Sequence, residues 1–151
     1  KQFLLHQIHI SQQVKMQMKK CRQVPLLLFQ HLHPLLSSKE INEFQHLIRR
    51  IPVADNVIEY AVRLVSKTRP NSEYATDIVN NYVEWGAGPR ASQNLILAAK
   101  TNAAFNGKFS PDIEDVQAIA KYVLRHRIVR NYKAEAEGLS SADLIEQIIL
   151  M

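Results

Sequence analysis

The feature that most constrains the fold is a helical repeat of apolar side chains that begins near residue 37 and continues to the end of the chain. In each stretch the apolar residues return every three or four positions, which places them on one face of a helix. The chain of 151 residues has only 4 glycines and 6 prolines, too few for the many turns of an all-β protein. The repeat predicts a mostly α-helical bundle of four to five helices, preceded by an irregular or short-strand N-terminal segment.

Helix-end signals divide the first part of this region. Ser37 and Glu40 match a capping box, and the first helix should end near Arg50 because Pro52 follows. Asp55 is the expected cap of a second helix, which would form a hairpin with the first. The two apolar stripes predicted to point inward are Ile41, Phe44, Leu47, Ile48, Ile51 and Val57, Ile58, Ala61, Leu64, Val65.

Further signals predict three more helices. Pro89 is suited to be the first residue of a helix over 89–106, with Gly107 as its stop, and the many alanines in it favour a central position. Ser110, followed by Pro111, should cap a helix whose inward residues include Val116, Ala120 and Leu124. Residues 138–143 should cap a last short helix. The pattern of residues 77–85 does not decide between helix and strand.

The positive charge of the chain lies almost entirely in its N-terminal quarter. Residues 1–39 hold six basic and no acidic side chains, whereas residues 40–151 hold 13 basic and 14 acidic ones. The change in texture near residue 37 predicts two regions, an irregular basic segment over 1–36 and a helical domain over 37–151. There is no apolar run long enough to span a bilayer, so we expect a cytoplasmic protein with no membrane partner.

Most familiar catalytic and metal-binding motifs are missing from the sequence. There is no glycine-rich phosphate loop, hydrolase nucleophile elbow or metalloprotease helix. The histidines at 6, 9, 31 and 33 and the lone Cys21 match no recognised zinc spacing, so we predict no metal site. Arg125 and Arg127 could bind phosphate or stabilise a helix C-terminus. Trp85 and Tyr82 are expected to be core anchors rather than platforms for nucleic-acid bases.

Five sequence blocks carry a resemblance to a known family. In chain order they are RIPVADNVIEYA, EWGAGPRAS, SPDIEDV, VLRHRI and EAEGLS, at residues 50–61, 84–92, 110–116, 123–128 and 135–140. Together they closely resemble the C-terminal lid subdomain of MoxR-type AAA+ ATPases, which are relatives of the magnesium-chelatase ATPase subunit. The resemblance covers about residues 38–150.

The resemblance implies a fold, a function and a site. Such a lid packs on a nucleotide-binding α/β core within a ring that uses ATP with Mg²⁺ to remodel or mature partner proteins, often ones with von Willebrand factor A-type domains. Arg90 matches the sensor-two arginine of the family, and Gly86, Gly88 and Pro89 form the turn before it. The guanidinium could approach the terminal phosphates, with help from free amides at the helix start, or instead pair with Glu84.

The sequence also departs from the family pattern. Walker A, Walker B and sensor-one elements are not present, so we expect no ATP hydrolysis by this chain alone. If residues 3–5 align with the end of the core, Gln2 stands where relatives carry an arginine finger. Residues 6–36 contain no acidic side chain and look unlike the family. We expect them to be an altered, poorly ordered remnant.

Three functions are therefore compatible with the sequence. The chain could be the lid of a MoxR-type ATPase, contributing nucleotide sensing and ring contacts, with Arg125 and Arg127 as further phosphate or subunit contacts. It could be a non-enzymatic helical interaction module that no longer depends on ATP. A nonspecific nucleic-acid binder is the weakest alternative, because the basic side chains lie in the least patterned segment and no recognition helix is evident.

Overall fold

The computed structural model describes residues 36–150. This part is mostly helical, as the sequence predicts, and contains seven helices and one small antiparallel pair of strands. Five helices have ten residues or more and correspond to the five expected from the sequence. The elements in chain order are α1 (Ser38–Arg50), α2 (Asp55–Lys67), α3 (Asp77–Tyr82), β1 (Val83–Trp85), α4 (Arg90–Phe105), α5 (Ile113–Leu124), β2 (Val129–Arg130), α6 (Tyr132–Ala136) and α7 (Ser141–Leu150).

The first two helices begin and end close to the predicted residues. The capping box is present, because the Ser37 amide donates to the Glu40 carboxylate at 2.7 Å and the Glu40 amide donates to the Ser37 hydroxyl at 3.3 Å. The predicted cap of α2 is wrong by one residue. Ala54 occupies that position without a side-chain bond, and Asp55 lies in the first turn, where its charge favours the helix dipole.

The predicted hairpin of α1 and α2 is also wrong, since each of them packs mainly against α4. The central position expected for α4 is confirmed, because α5 packs on it as well. Its buried side chains recur every four residues and are mostly small, which lets the neighbouring helices approach closely. They are Ala91, Leu95, Ala99 and Ala103.

The end of α4 is a complete Schellman motif. Gly107 has a φ of 76°, its amide donates to the Ala104 carbonyl at 3.1 Å, and the Lys108 amide donates to the Ala103 carbonyl at 2.8 Å. Glycine adopts this left-handed conformation without a steric penalty, so the stop predicted at Gly107 is confirmed.

The start of α5 differs from the prediction. Asp112, not Ser110, is the cap, and it forms a capping box with Asp115. The Ser110 hydroxyl instead donates to the Pro52 carbonyl at 3.2 Å. Asp115 is buried, and its carboxylate accepts from Asn102 at 2.8 Å and from Lys108 at 3.0 Å, which compensates the burial of its charge.

The stretch of undecided type contains α3 and then β1. This strand pairs with β2, with Val83 opposite Arg130 and Trp85 opposite Val129, and the register is irregular between the two pairs. Two residues of β1 therefore oppose one of β2, as in a β-bulge, which can redirect a side chain. Trp85 is 69% exposed, so its expected role as a core anchor is wrong.

The core lies among α2, α4, α5, α7 and the strand pair. The expected inward faces of α5 and α7 are confirmed, with Val116, Ala120, Leu124, Leu144, Ile145 and Ile148 all buried. Helix α1 differs, because none of its residues is buried and Ile41 is 44% exposed. Of the stripe predicted for α1, Ile51 at its C-terminal cap is buried as predicted, whereas Phe44, Leu47 and Ile48 are half-buried. The stripe predicted for α2 is confirmed except at Ile58, which is 42% exposed.

Several predictions fall on residues 1–35, outside the described residues. They concern the irregular basic segment, the histidines and Cys21 considered as metal ligands, and Gln2 at the arginine-finger position. Within residues 36–150, no helix combines the length and apolar character needed to cross a bilayer.

Candidate functional site

The site predicted around Arg90 begins with a tight turn over residues 86–89, here called the 86–89 turn. Gly86 lies against the backbone at the end of α2, and a Cβ on it would be 2.3 Å from the Thr68 carbonyl oxygen. Any larger residue would collide there. A Cβ on Gly88 would meet nothing within 4 Å, so the structure gives a steric reason for glycine at 86 but not at 88.

Two side chains at the end of α2 hold this turn in place. The buried Thr68 hydroxyl donates to the Val65 carbonyl at 2.7 Å and accepts from the Ala87 amide at 2.9 Å. The Nε atom of Arg69 donates to the Ala87 carbonyl at 2.9 Å. Both backbone polar groups of buried Ala87 are thereby bonded to α2, and the 86–89 turn is joined to that helix.

After this turn, Arg90 lies at the surface as the first residue of α4. Pro89 precedes it with helical dihedral angles, φ −57° and ψ −30°, and so takes the cap position rather than the first helical one. Arg90 is exposed, and its guanidinium forms no hydrogen bond or ion pair with any residue in 36–150. The alternative in which Glu84 pairs with Arg90 is therefore not observed.

The amides that follow Arg90 are partly occupied. The Ala91 amide donates to the Gly88 carbonyl at 2.9 Å, and the Ser92 amide donates to the Pro89 carbonyl at 3.2 Å. The guanidinium of Arg90, rather than a set of free amides, is thus the main donor available at the start of α4. The sequence predicts free backbone amides at the start of α4 that help bind phosphate, which differs from this arrangement.

Arg125 lies toward the same end of the bundle as Arg90. Helices α4 and α5 are joined by residues 106–112 and pack against each other, from which we infer that they run antiparallel. The Asn102–Asp115 bond marks their connected end. Arg90 and Arg125 follow from it by roughly 15–18 Å along each helix, at 1.5 Å per residue. Both therefore lie toward the opposite end of the pair.

The two arginines predicted to assist Arg90 have different surroundings. Arg127 donates through Nε to the Val123 carbonyl at 3.1 Å, which satisfies the C-terminus of α5. Arg125 is exposed, and its guanidinium has no hydrogen-bond or ion-pair partner within residues 36–150. Of the two, Arg125 has the freer guanidinium for a phosphate or a neighbouring subunit.

A groove of about 610 Å³ runs along α4, and its lining begins at Ser92, two residues after Arg90. Arg90, Gln93 and Leu97 are spaced three and four residues apart, so they share one helix face. Helix α2 contributes exposed Ile58 and Val62 to the groove, 42% and 49% exposed. The other residues that line it are Arg49, Ser92, Asn94, Ile96 and Lys100.

Polar side chains at α6 contact Tyr82, the last residue of α3 before the strand pair. The Tyr82 hydroxyl donates to the Glu137 carboxylate at 2.7 Å, and this bond raises the pKa of Tyr82. The Lys133 ammonium lies 5.0 Å from the centre of the Tyr82 ring. Tyr82 thus fastens α3 to α6 and is half-buried, rather than forming a stacking platform.

Sequence reasoning missed Thr68, Arg69 and the groove. Thr68 and Arg69 contact Ala87 across 19 and 18 residues of sequence, and no local pattern reports such a contact. Among residues 36–150, no group of three or more His, Cys, Asp or Glu side chains could hold a metal ion.

Comparisons with known proteins identify relatives of this chain. The family described as AAA lid domain matches residues 75–148. Chaperone MoxR1 of Mycobacterium tuberculosis is 31% identical over 115 residues, which cover 76% of this chain and 30% of that protein. The uncharacterised protein YeaC of Bacillus subtilis is 25% identical over 118 residues, covering 78% of this chain and 34% of YeaC.

A solved structure has the same fold. A protein of Cytophaga hutchinsonii, provisionally described as an ATPase, superposes with a TM-score of 0.74 at 32% identity, over 89% of this chain and 41% of that one. The chain therefore spans only about a third of the length of the curated relatives it matches. The fold, the lid match and the MoxR relative together identify this chain as the C-terminal lid of a MoxR-type AAA+ ATPase.

Proposed function

We propose that this lid senses nucleotide through Arg90 and contributes to subunit contacts in a ring of AAA+ ATPases that remodels or matures partner proteins. The observation that carries the proposal is the placement of Arg90. It is exposed, lacks a partner within the described residues, and follows a turn fixed to the body of the lid. An arginine held in this way is ready to bind an anion supplied by another domain.

The chemistry of Arg90 suits the terminal phosphates of ATP. A guanidinium stays charged at all physiological pH values and can donate two parallel hydrogen bonds to phosphate oxygens. The ATPase core would hold ATP and Mg²⁺, and the lid would add positive charge near the phosphates. Arg125, at the same end of the α4–α5 pair, is a second candidate for phosphate or for a neighbouring subunit.

The groove along α4 fits the same proposal. It offers the apolar side chains of Ile58, Val62 and Leu97, together with two cations, Arg49 and Lys100. A lid separated from its core would expose this surface to water, whereas an attached core with bound nucleotide would cover it. The same groove also supports a second candidate function, a helical interaction module that does not use ATP.

A chimera separates the two candidates. Residues 36–150 would replace the matching region of the Cytophaga hutchinsonii protein, and ATP turnover would be compared with that of the unmodified protein. We expect the chimera to hydrolyse ATP. Arg90→Ala should then lower turnover by about 10- to 100-fold, the usual range for losing hydrogen bonds to a charged group.

The matched control is Arg63→Ala. Arg63 is an exposed arginine of α2 outside the groove lining, paired with Glu59 at 2.7 Å, and such surface pairs contribute little to stability. Its removal should leave turnover nearly unchanged. A well-folded chimera without hydrolysis, or an Arg90→Ala variant as active as its parent, would favour the ATP-independent interaction module.

The proposed partners follow from the family and remain to be tested. They are the AAA+ core, neighbouring ring subunits and, as clients, proteins with von Willebrand factor A-type domains, in the cytoplasm. The description of the mycobacterial relative as a chaperone is consistent with remodelling of other proteins. Co-purification of such a client with the chimera in ATP, and its release in ADP, would support this extension.

A further inference from the structure

We propose that Thr68 and Arg69 are positioning residues, which aim Arg90 at the nucleotide by fixing the 86–89 turn to the end of α2. The inference rests on the proposed function of Arg90 and adds the part of the lid that controls it. Neither residue belongs to the sequence blocks that carry the family resemblance.

The contacts leave the turn little freedom. Ala87 is fully buried, its amide is bonded to the Thr68 hydroxyl at 2.9 Å, and its carbonyl is bonded to Arg69 Nε at 2.9 Å. The Gly86 backbone lies against the Thr68 carbonyl so closely that no side chain fits between them. Only two residues separate Ala87 from Arg90, so a shift of this peptide would move the first turn of α4.

The residue type at 68 matters because its hydroxyl acts twice. It donates to the Val65 carbonyl at 2.7 Å while it accepts from the Ala87 amide. Valine has nearly the same shape but can do neither, and it would leave a buried amide without a partner. Serine keeps both bonds. The pair Thr68→Val and Thr68→Ser therefore separates the hydrogen bonds from the packing.

The arrangement also connects the groove to Arg90. Helix α2 lines the groove with Ile58 and Val62 and ends at the contacts with Ala87.

Arg69 has an alternative role that the test must separate. Of the three guanidinium nitrogens of Arg69, only Nε forms a hydrogen bond within residues 36–150, so the two terminal nitrogens could themselves contact phosphate. A residue that acts through Arg90 has no effect once Arg90 is removed. A residue that contacts phosphate directly keeps its own effect.

The first experiment uses the full 151-residue chain and needs no ATPase. Amide hydrogen exchange measured by NMR should show at least about tenfold faster exchange at Ala87 in Thr68→Val, with Ala120 in α5 unchanged and Thr68→Ser close to wild type. If Thr68→Val does not fold, Arg69→Gln tests the same turn through faster exchange at the bonded amides of Ala87 and Ala91. Unchanged exchange around Ala87 in the folded variants would overturn the inference.

The second experiment is a double-mutant cycle in the chimera. We expect Arg69→Gln to lower ATP turnover about three- to tenfold with Arg90 present, and to have no further effect in Arg90→Ala. Equal losses in both backgrounds would show a direct role for Arg69 and overturn the positioning role. If Arg90→Ala itself has no effect, the proposed function fails, whereas the exchange experiment still reports on the turn.

Discussion

At the scale of single residues, Thr68 and Gly86 determine how the end of α2 packs against the 86–89 turn. Thr68 is fully buried and satisfies two backbone groups, whereas Gly86 allows two backbone segments to touch. At Gly88, only two positions later, an added Cβ would meet no atom within 4 Å. The same residue type in the same motif therefore carries a structural constraint at one position and none at the other.

We expect Gly86→Ala to destabilise the fold by about 1–3 kcal/mol, the usual cost of overpacking, because its Cβ would lie 2.3 Å from the Thr68 carbonyl oxygen. Gly88→Ala is the matched control and should change the free energy of unfolding by less than about 0.5 kcal/mol. Urea denaturation followed by circular dichroism measures both. Equal effects of the two substitutions would contradict the close contact at Gly86.

At the scale of elements, hydrogen-bonded caps define where the helices start. Helices α1, α5 and α7 each begin with a reciprocal pair three residues apart: Ser37 with Glu40, Asp112 with Asp115, and Ser140 with Asp143. The acidic member then lies near the positive end of the helix dipole, and the cap residue accepts from an amide that would otherwise be unpaired. Lys121 of α5 also forms an ion pair with Glu146 of α7.

The contribution of the Asp112 cap to stability should depend on pH. The hydrogen bond from Lys108, followed by that from the Asp115 amide, lowers its pKa from 3.8 to about 2. A carboxyl with a lowered pKa in the folded state stabilises the protein above its unfolded pKa, and that contribution is lost as the pH falls through the folded pKa. We therefore expect the stability advantage of wild type over Asp112→Asn to shrink between pH 4 and pH 2.

Asparagine is a suitable replacement at 112 because it is also a good helix cap but carries no charge. Urea unfolding at pH 6, 4, 3 and 2 gives the difference between the two proteins at each pH. A difference that stays constant over this range would show that the charge of Asp112 does not contribute.

At the scale of the whole molecule, α4 organises the fold. Helices α1, α2 and α5 pack around it, α7 packs against α5, and β1 precedes its first turn. The buried residues of this described core all lie between 51 and 148. This helix carries Arg90 and also lines the groove, so the surface proposed to face nucleotide is built on the most central helix.

We expect residues 36–150 to unfold cooperatively when expressed alone, because all the side chains of the described core belong to these residues. Removal of residues 139–150 should abolish cooperative unfolding, since it deletes Leu144, Ile145 and Ile148 from the core. Circular dichroism during urea titration distinguishes a sigmoidal transition from a gradual one. A gradual transition for residues 36–150 would show that the described core is not sufficient.

The sequence by itself determined the helices and most of their ends. Capping boxes, the Gly107 stop and the apolar repeats depend on residues three to five positions apart, so they can be recognised in an unfolded chain. It also identified Arg90 as the candidate site residue through the family resemblance. The short α3, β1, β2 and α6 were not assigned, because segments of two to six residues carry too little periodicity.

Only the tertiary structure decided how these pieces meet. It placed α1 and α2 on α4 rather than on each other, exposed Trp85 through the irregular pairing with Val129, and joined Thr68 to Ala87. Each outcome depends on contacts between residues far apart in sequence, whose energies local patterns do not contain. The orientation of Arg90 depends on such contacts, so its surroundings could be known only from the folded chain.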